Sequence, residues 1–286
     1  MNAPPMAPPP QMTEPSSIVE LTISCTNLPD LDVMSKSDPM CVVFAKRTPS
    51  DPWFEVGRTE TIQNNLNPEF SKKITMTYLF EERQLLKFEV YDIDSASKNL
   101  SDHDFMGRTE CALGEIVSCA GLVAFERDLT GSKKTGAKIK VIAEELASFR
   151  EAFTIELSAR NLPKKMFGSS SFFYEIHKGS ETGTDLLVYR SDGETAKGAD
   201  CHWKSVQLKA HTLCNGDNDR NLKVSLYKYK SNGSHRKLGD WNCTVKELLA
   251  SQLPFQAKAA PSSCLIVLNQ FQKDSHSTFL DFIKKG

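Results

Sequence analysis

The chain has 286 residues, 40% of them hydrophobic, with 35 Lys/Arg against 36 Asp/Glu and a formal net charge of −1. That length suits about two domains, and no apolar run approaches the ~18 residues of a membrane-spanning helix. The even charge balance, with no basic stretches interleaved with aromatics, argues against a nucleic-acid partner.

Charge is divided unevenly along the chain. Residues 1–150 hold 16 basic and 22 acidic residues, a balance of −6; residues 151–286 hold 19 and 14, a balance of +5. The first 17 residues contain six prolines and no Lys or Arg, which predicts a disordered or polyproline-type tail. No basic segment followed by an apolar stretch opens the chain, so no secretory signal is expected. Asn2 excludes the N-myristoylation pattern. Eight scattered cysteines without CxxC spacing then read as buried free thiols rather than a disulfide framework.

From residue 18 the pattern has period two. Val19, Leu21, Ile23 and Cys25 alternate with Glu20, Thr22 and Ser24, and the alternation returns in MCVVF (40–44), LKFEV (86–90) and AKIKV (137–141). Short strands between frequent turns predict an all-β sandwich or barrel. NNLNP (64–68) is a turn, because the residue before proline avoids the helical region. EELASF (144–149) reads as a short helix-capable connector and places a domain boundary nearby. The pattern then restarts: Asn-Leu-Pro at 27–29 recurs at 161–163, and FEVYDIDS (88–95) aligns with VSLYKYKS (224–231). Two diverged copies of one β-domain account for this.

The first copy concentrates carboxylates. Asp32 and Asp38 bracket a loop closed by Ser-Asp-Pro, a turn signal. Asp92 and Asp94 are two apart at the end of an alternating run, so both leave the strand on one side. Asp104 follows in SDHDFMG. Carboxylates crowded in this way repel one another unless a cation lies between them. An all-oxygen set on loops suits calcium, which takes ~6–8 oxygens in loose geometry. No nucleotide-binding or hydrolase motif is present, and the six histidines are isolated, so the chain reads as a binding protein rather than an enzyme. His103, inside the acidic loop, is expected to be solvated.

These motifs resemble those of the C2 domain. The tandem pair, SKSDPM, YDID with an insertion before SDHDFMG, and CALGEIVS (111–118) are similar to copines in particular. TFLDFIKKG (278–286) resembles the copine segment that enters a von Willebrand A-type domain, a domain this sequence does not contain. The resemblance implies two tandem eight-stranded antiparallel β-sandwiches of type II topology, over residues 18–146 and 151–275, with residues 276–286 as the start of the copine linker. It implies calcium ligands at Asp32 and Asp38 in the first loop and Asp92, Asp94 and Asp104 in the third, with the carbonyls of Leu31 and Ile93 added. Asp102 rivals Asp104 for the last position.

The same resemblance implies calcium-dependent binding to anionic, phosphatidylserine-like membranes by a cytoplasmic protein recruited to the plasma membrane or other anionic membranes. Val33 and Met34 at the first loop's tip are candidates to enter the headgroup region; the other reading of Met34 is a residue packed on its own domain. In the second copy the five ligand positions read Lys165, Ser171, Lys228, Lys230 and Arg236. Four cations replace anions, so this copy is expected to be calcium-blind. Lys165, Lys228, Lys230 and Arg236 would then form a permanent basic tip, or the retired site would serve packing or protein partners. A membrane-proximal adaptor, in which the pair mainly binds proteins, is the second functional reading.

Overall fold

The computed structural model describes residues 15–146, 151–164, 168–180 and 183–275. Residues 1–14 of the proline-rich tail, the end of the EELASF connector, Lys165 and the linker-like segment 276–286 lie outside the described residues.

The first domain consists of β1 (Ser16–Thr26), β2 (Pro39–Lys46), β3 (Phe54–Arg58), β4 (Ile74–Leu79), β5 (Leu85–Asp92), β6 (Asp104–Ala112), α1 (Leu113–Val117), β7 (Phe125–Asp128) and β8 (Lys138–Glu145). Its eight strands form two antiparallel sheets, ordered β4-β1-β8-β7 and β3-β2-β5-β6. The first and last strands are neighbours in the middle of one sheet, as the type II expectation requires. β1 starts two residues earlier than the period-two pattern suggested, because Ser16 and Ser17 pair with Leu79 and Tyr78. Glu144 and Glu145 are strand residues of β8 rather than part of a helical connector, held by pairing with Glu20 and Val19.

The second domain consists of β9 (Glu151–Arg160), β10 (Ser171–Gly179), β11 (Asp185–Arg190), β12 (Glu194–Thr195), β13 (Cys201–His202), β14 (Val206–Lys209), α2 (Ala210–Cys214), β15 (Asn221–Lys228), β16 (Arg236–Thr244), α3 (Val245–Ala250), β17 (Phe255–Lys258), β18 (Ala260–Pro261) and β19 (Leu265–Ser275). It is again a two-sheet sandwich, ordered β13-β9-β19-β17 with β14 also on β9, and β11-β10-β15-β16-β18 with β12 on β10. The extra segments arise because one edge strand is interrupted between β13 and β14, and because two two-residue pairings, β12 and β18, are added at edges.

Alternation places Val19, Leu21, Ile23 and Cys25 in the first core, all at most 2% exposed, against Phe88, Val90, Ile139 and Val141 of other strands. The second core is built likewise around Phe153, Phe172, Tyr174 and Leu226. All eight cysteines are free thiols, and seven of them are buried. Burial pushes the Cys111 thiol up to about 12.

Alternation also assigns Glu20 to the solvent side, yet it is 3% exposed. The outer face of the β1–β8 pair is covered by the second domain. Lys178 of β10, 1% exposed, stands 2.7 Å from Glu144 and 3.9 Å from Glu20. Arg220 reaches Glu144 at 2.6 Å. Lys73 donates to the Leu187 carbonyl, and its burial pushes it down to about 8. Burial works to raise Glu144, but Lys178 and Arg220 overcome it and hold its carboxyl below the ordinary range.

Breaking a buried pair strands a charge, which costs about 3–5 kcal/mol. Lys178→Ala is therefore expected to lower stability in urea unfolding by about that amount. A midpoint unchanged from wild type would show that the interdomain pair contributes nothing. The Glu144 contribution has a definite pH sign. Its lowered folded value means the stability is complete above the ordinary glutamate range of ~4.3 and is lost as pH falls through the folded value.

Candidate metal centre

Three loops meet at one end of the first domain: residues 27–38 (loop 1), 59–73 (loop 2) and 93–103 (loop 3). β5 delivers Asp92 as its last residue, paired with Pro39 on one side and Asp104 on the other. A bulge between Val90 and Tyr91 adjusts the strand just before the site, a usual place for such a kink.

Asp92 is 1% exposed. Its Oδ1 accepts from the Asp38 backbone N–H at 2.6 Å, while its Oδ2 is buried without a hydrogen-bond partner. Carboxylate oxygens of Asp32, Asp92 and Asp94 lie within 4.8 Å of one another. Burial pushes the Asp92 carboxyl up, the Ser37 hydroxyl and Asp38 N–H work against this, and the negative charges of Asp32 and Asp94 add to the rise. Leaving a buried acceptor unpaired beside two like charges is unfavourable. A cation in the cluster would satisfy the oxygen and cancel the repulsion.

The other predicted positions fall around this core. Asp38 gives Oδ1 to the Asn64 N–H at 2.7 Å; it belongs to the loop framework and lies outside the tight three-carboxylate group. Asp104 is exposed and sits directly opposite Asp92 in the β5–β6 ladder. Asp102 is engaged elsewhere, accepting from the Ser97 and Ser101 hydroxyls at 2.6 and 3.3 Å. Leu31 and Ile93 have their N–H groups committed to the Ser37 hydroxyl and the Asp38 carbonyl. Among the described residues neither of their carbonyls accepts a hydrogen bond. An all-oxygen set of this kind fits calcium.

His103 corrects the expectation of a solvated ring. It is 9% exposed, and its Nε2 lies 2.9 Å from the Ser97 carbonyl. A carbonyl accepts only, so Nε2 carries the hydrogen, and the ring staples loop 3 across its insertion. Val33 and Met34 are each 96% exposed, so Met34 does not pack on its own domain.

Period-two reasoning missed Ser37 and Asn64. Ser37 is fully buried. Its hydroxyl accepts from Leu31 N–H and its N–H donates to Asp30. Asn64 has a left-handed φ of 55°, a conformation asparagine tolerates better than most residues. Its side-chain oxygen accepts from Lys36 N–H at 3.0 Å. The available signal was the asparagine-rich NNLNP turn, but its partners are 26 to 28 residues away in sequence.

The second domain repeats the frame without the chemistry. Phe172, Lys228 and Arg236 occupy the register positions of Pro39, Asp92 and Asp104. The bulge recurs between Leu226 and Tyr227. Ser171 spends its hydroxyl on Thr195 at 3.2 Å. Lys228 is half-buried, Lys230 and Arg236 are exposed, and among the described residues none of the three forms an ion pair. Three cations around this frame repel a further cation.

A family model described as the C2 domain matches residues 18–126 and 153–258. The chain belongs to the C2 domain family. Nicotinic receptor-associated protein 1 of Caenorhabditis elegans is 37% identical over 245 residues, which cover 76% of this chain and 38% of that protein. That relative is copine-like, with C2 domains in tandem, in agreement with the copine resemblance of the sequence. The chain spans well under half of its length. Among solved structures, the calcium-bound tandem C2 domains of Extended-Synaptotagmin 2 align over 91% of this chain and 98% of that one, at 17% identity and a TM-score of 0.36. The second C2 domain of BON1 aligns over 44% of this chain and 92% of its own, at 19% identity and a TM-score of 0.35.

The repulsion at Asp92 makes a prediction in chelator. Its raised folded value means that the ionised carboxyl weakens the metal-free fold as pH rises through that value. Asp92→Asn keeps an oxygen for the Asp38 N–H and removes the charge, so its melting temperature in EGTA is expected to exceed wild type by a few degrees. A lower melting temperature would refute the repulsion argument.

Proposed function

We propose that this protein is a copine-like, calcium-gated membrane-docking module. Its first C2 domain binds anionic, phosphatidylserine-like membranes when its aspartate loops are loaded. Its second C2 domain supplies calcium-independent electrostatic or protein contacts. The protein acts by binding rather than by catalysis, from the cytoplasm, and is recruited to the plasma membrane or other anionic membranes. The observation that carries this reading is the buried, unpartnered Asp92 Oδ2 held beside Asp32 and Asp94.

Bound calcium supplies positive charge and coordination positions that lipid phosphate oxygens can share. The residues of the chain do the rest. Asp32, Asp92 and Asp94 hold the ion, with Asp38, Asp104 and the carbonyls of Leu31 and Ile93 as the remaining donors. Without metal the crowded carboxylates repel an anionic leaflet, so the gate is local electrostatics rather than a change of fold. Val33 and Met34, exposed at the loop 1 tip, enter the headgroup region once the repulsion is removed. Burying such a side chain contributes ~1.5–3 kcal/mol. Lys228, Lys230 and Arg236 each add ~1 kcal/mol near an anionic surface, and two weak contacts on one chain reinforce each other.

Co-sedimentation with phosphatidylserine vesicles tests the gate. Wild type is expected to pellet with calcium, and Asp92→Asn/Asp94→Asn is expected to lose that calcium-dependent fraction. Equal pelleting of the two in calcium would overturn the gate. Met34→Ala is expected to weaken binding in calcium by roughly tenfold. An affinity equal to wild type would remove Met34 from the docking surface. Neutralising Lys228, Lys230 and Arg236 is expected to abolish residual binding in EGTA; binding that survives would end the role of the basic tip.

A further inference from the structure

The retired loop of the second domain touches the framework of the first domain's metal centre, and the contact runs through Asn64. The Asn64–Asn65 segment holds three consecutive residues of loop 1. The Asn64 side-chain oxygen accepts from Lys36 N–H at 3.0 Å, Asn65 N–H donates to the Ser37 carbonyl at 3.2 Å, and Asn64 N–H donates to Asp38 Oδ1 at 2.7 Å. Asp38 N–H in turn holds Asp92 Oδ1 at 2.6 Å. The remaining arm of Asn64 leaves the domain: its side-chain N–H donates to the Ser231 carbonyl at 3.1 Å. Ser231 lies in the loop between β15 and β16, the counterpart of loop 3.

Gly233 makes the approach close. It has a left-handed φ of 72°. A Cβ there would overlap the Asn64 carbonyl oxygen and stand 2.9 Å from the carbonyl carbon. These are backbone atoms, which cannot swing aside as a long side chain can. The loop is braced from within. Lys230 N–H donates to His235 Nδ1 at 3.2 Å, and the His235 ring packs against Tyr229 and Phe173. The buried Lys178–Glu144 pair joins the two domains elsewhere in the same interface, so the loop presses on Asn64 from a fixed base.

We infer that the β15–β16 loop of the second domain is a built-in brace for the first domain's calcium site, acting through Asn64 on loop 1. The inference rests on the calcium reading of that site. Asn64 and Gly233 are positioning residues: neither belongs to the ligand set, and both set where Asp38 stands against Asp92. Displacing the Asn64 carbonyl moves the Asn65 N–H of the same peptide unit, which holds the Ser37 carbonyl, and shifts the adjoining Asn64 N–H that fixes Asp38, and with it the spacing of the carboxylates. Coupling of this kind is reciprocal, so calcium bound in the first domain tightens the second domain's loop on Asn64 by the same factor.

The test places the change in one domain and reads it in the other. Gly233→Ala leaves every first-domain residue intact. Gly198→Ala is the control, because Gly198 has a similar left-handed φ of 70° but a Cβ there meets nothing within 4 Å. Calcium affinity of the full chain is measured by calorimetric titration. Amide exchange in EGTA supplies a readout that needs no metal. Gly233→Ala is expected to weaken calcium binding about fivefold or more and, in EGTA, to speed exchange at the amides of Lys36, Asn64 and Asn65. Gly198→Ala is expected to match wild type in both. Asn64→Gly, which accepts the left-handed backbone and keeps the N–H to Asp38, is expected to weaken calcium binding in the same direction.

The brace is overturned if Gly233→Ala binds calcium as wild type does, or if Gly198→Ala is equally impaired. A wild-type chain that binds no calcium refutes the calcium reading itself, and the coupling with it. A wild-type chain that binds while Gly233→Ala matches it refutes the coupling alone.

Discussion

Asp92 is the constraint around which this end of the molecule is arranged. A carboxylate at the last position of a central strand is taken almost wholly out of water and set beside two others. One oxygen is satisfied by the Asp38 N–H and the other has no partner. Such an arrangement is unfavourable by itself. It persists because the surrounding structure over-determines it: β2 and β6 flank Asp92 through ladder pairing, Ser37 and Asn64 fix loop 1, and His103 fixes loop 3. The stress falls on atoms that a hard cation would relieve.

The second domain shows what happens when the same frame is kept and the charges are reversed. Its register and its bulge reproduce those of the first domain, with Lys228 opposite Arg236 where Asp92 stands opposite Asp104. Neither sandwich needs the tip chemistry to fold, since each core is assembled from inward-facing apolar residues. That independence allows the loops to change while the scaffold stays. The β15–β16 loop rests against the loop 2 backbone of its neighbour.

The interface between the domains depends on paired charge. Glu20 and Glu144 are ordinary surface types at positions that alternation assigns to solvent, and they are buried because the second domain covers the outer face of the β1–β8 pair and brings Lys178 and Arg220 against them. Desolvation makes each of them unfavourable alone and strongly dependent on its partners. The same interdomain contact brings Gly233 up to Asn64, so the geometry of the tip and the packing of the domains are set together.

Local rules were enough to read the sandwich pair and the acidic residues that gather at one end of the first domain from the order of residues. Period-two alternation selects the inward face of a strand, so Val19, Leu21, Ile23 and Cys25 were legible as core. Asp92 and Asp94 share a side because they are two residues apart, and the Asn-Leu-Pro repeat marks a second copy. Which aspartates converge was settled only when the chain closed on itself, since the distance from Asp32 to Asp92 depends on how loops 1 and 3 meet. Closure also buried His103, exposed Met34, and buried Glu20 against the second domain's Lys178. Each of these outcomes depends on how distant parts of the chain are placed, and period and composition carry no information about that placement.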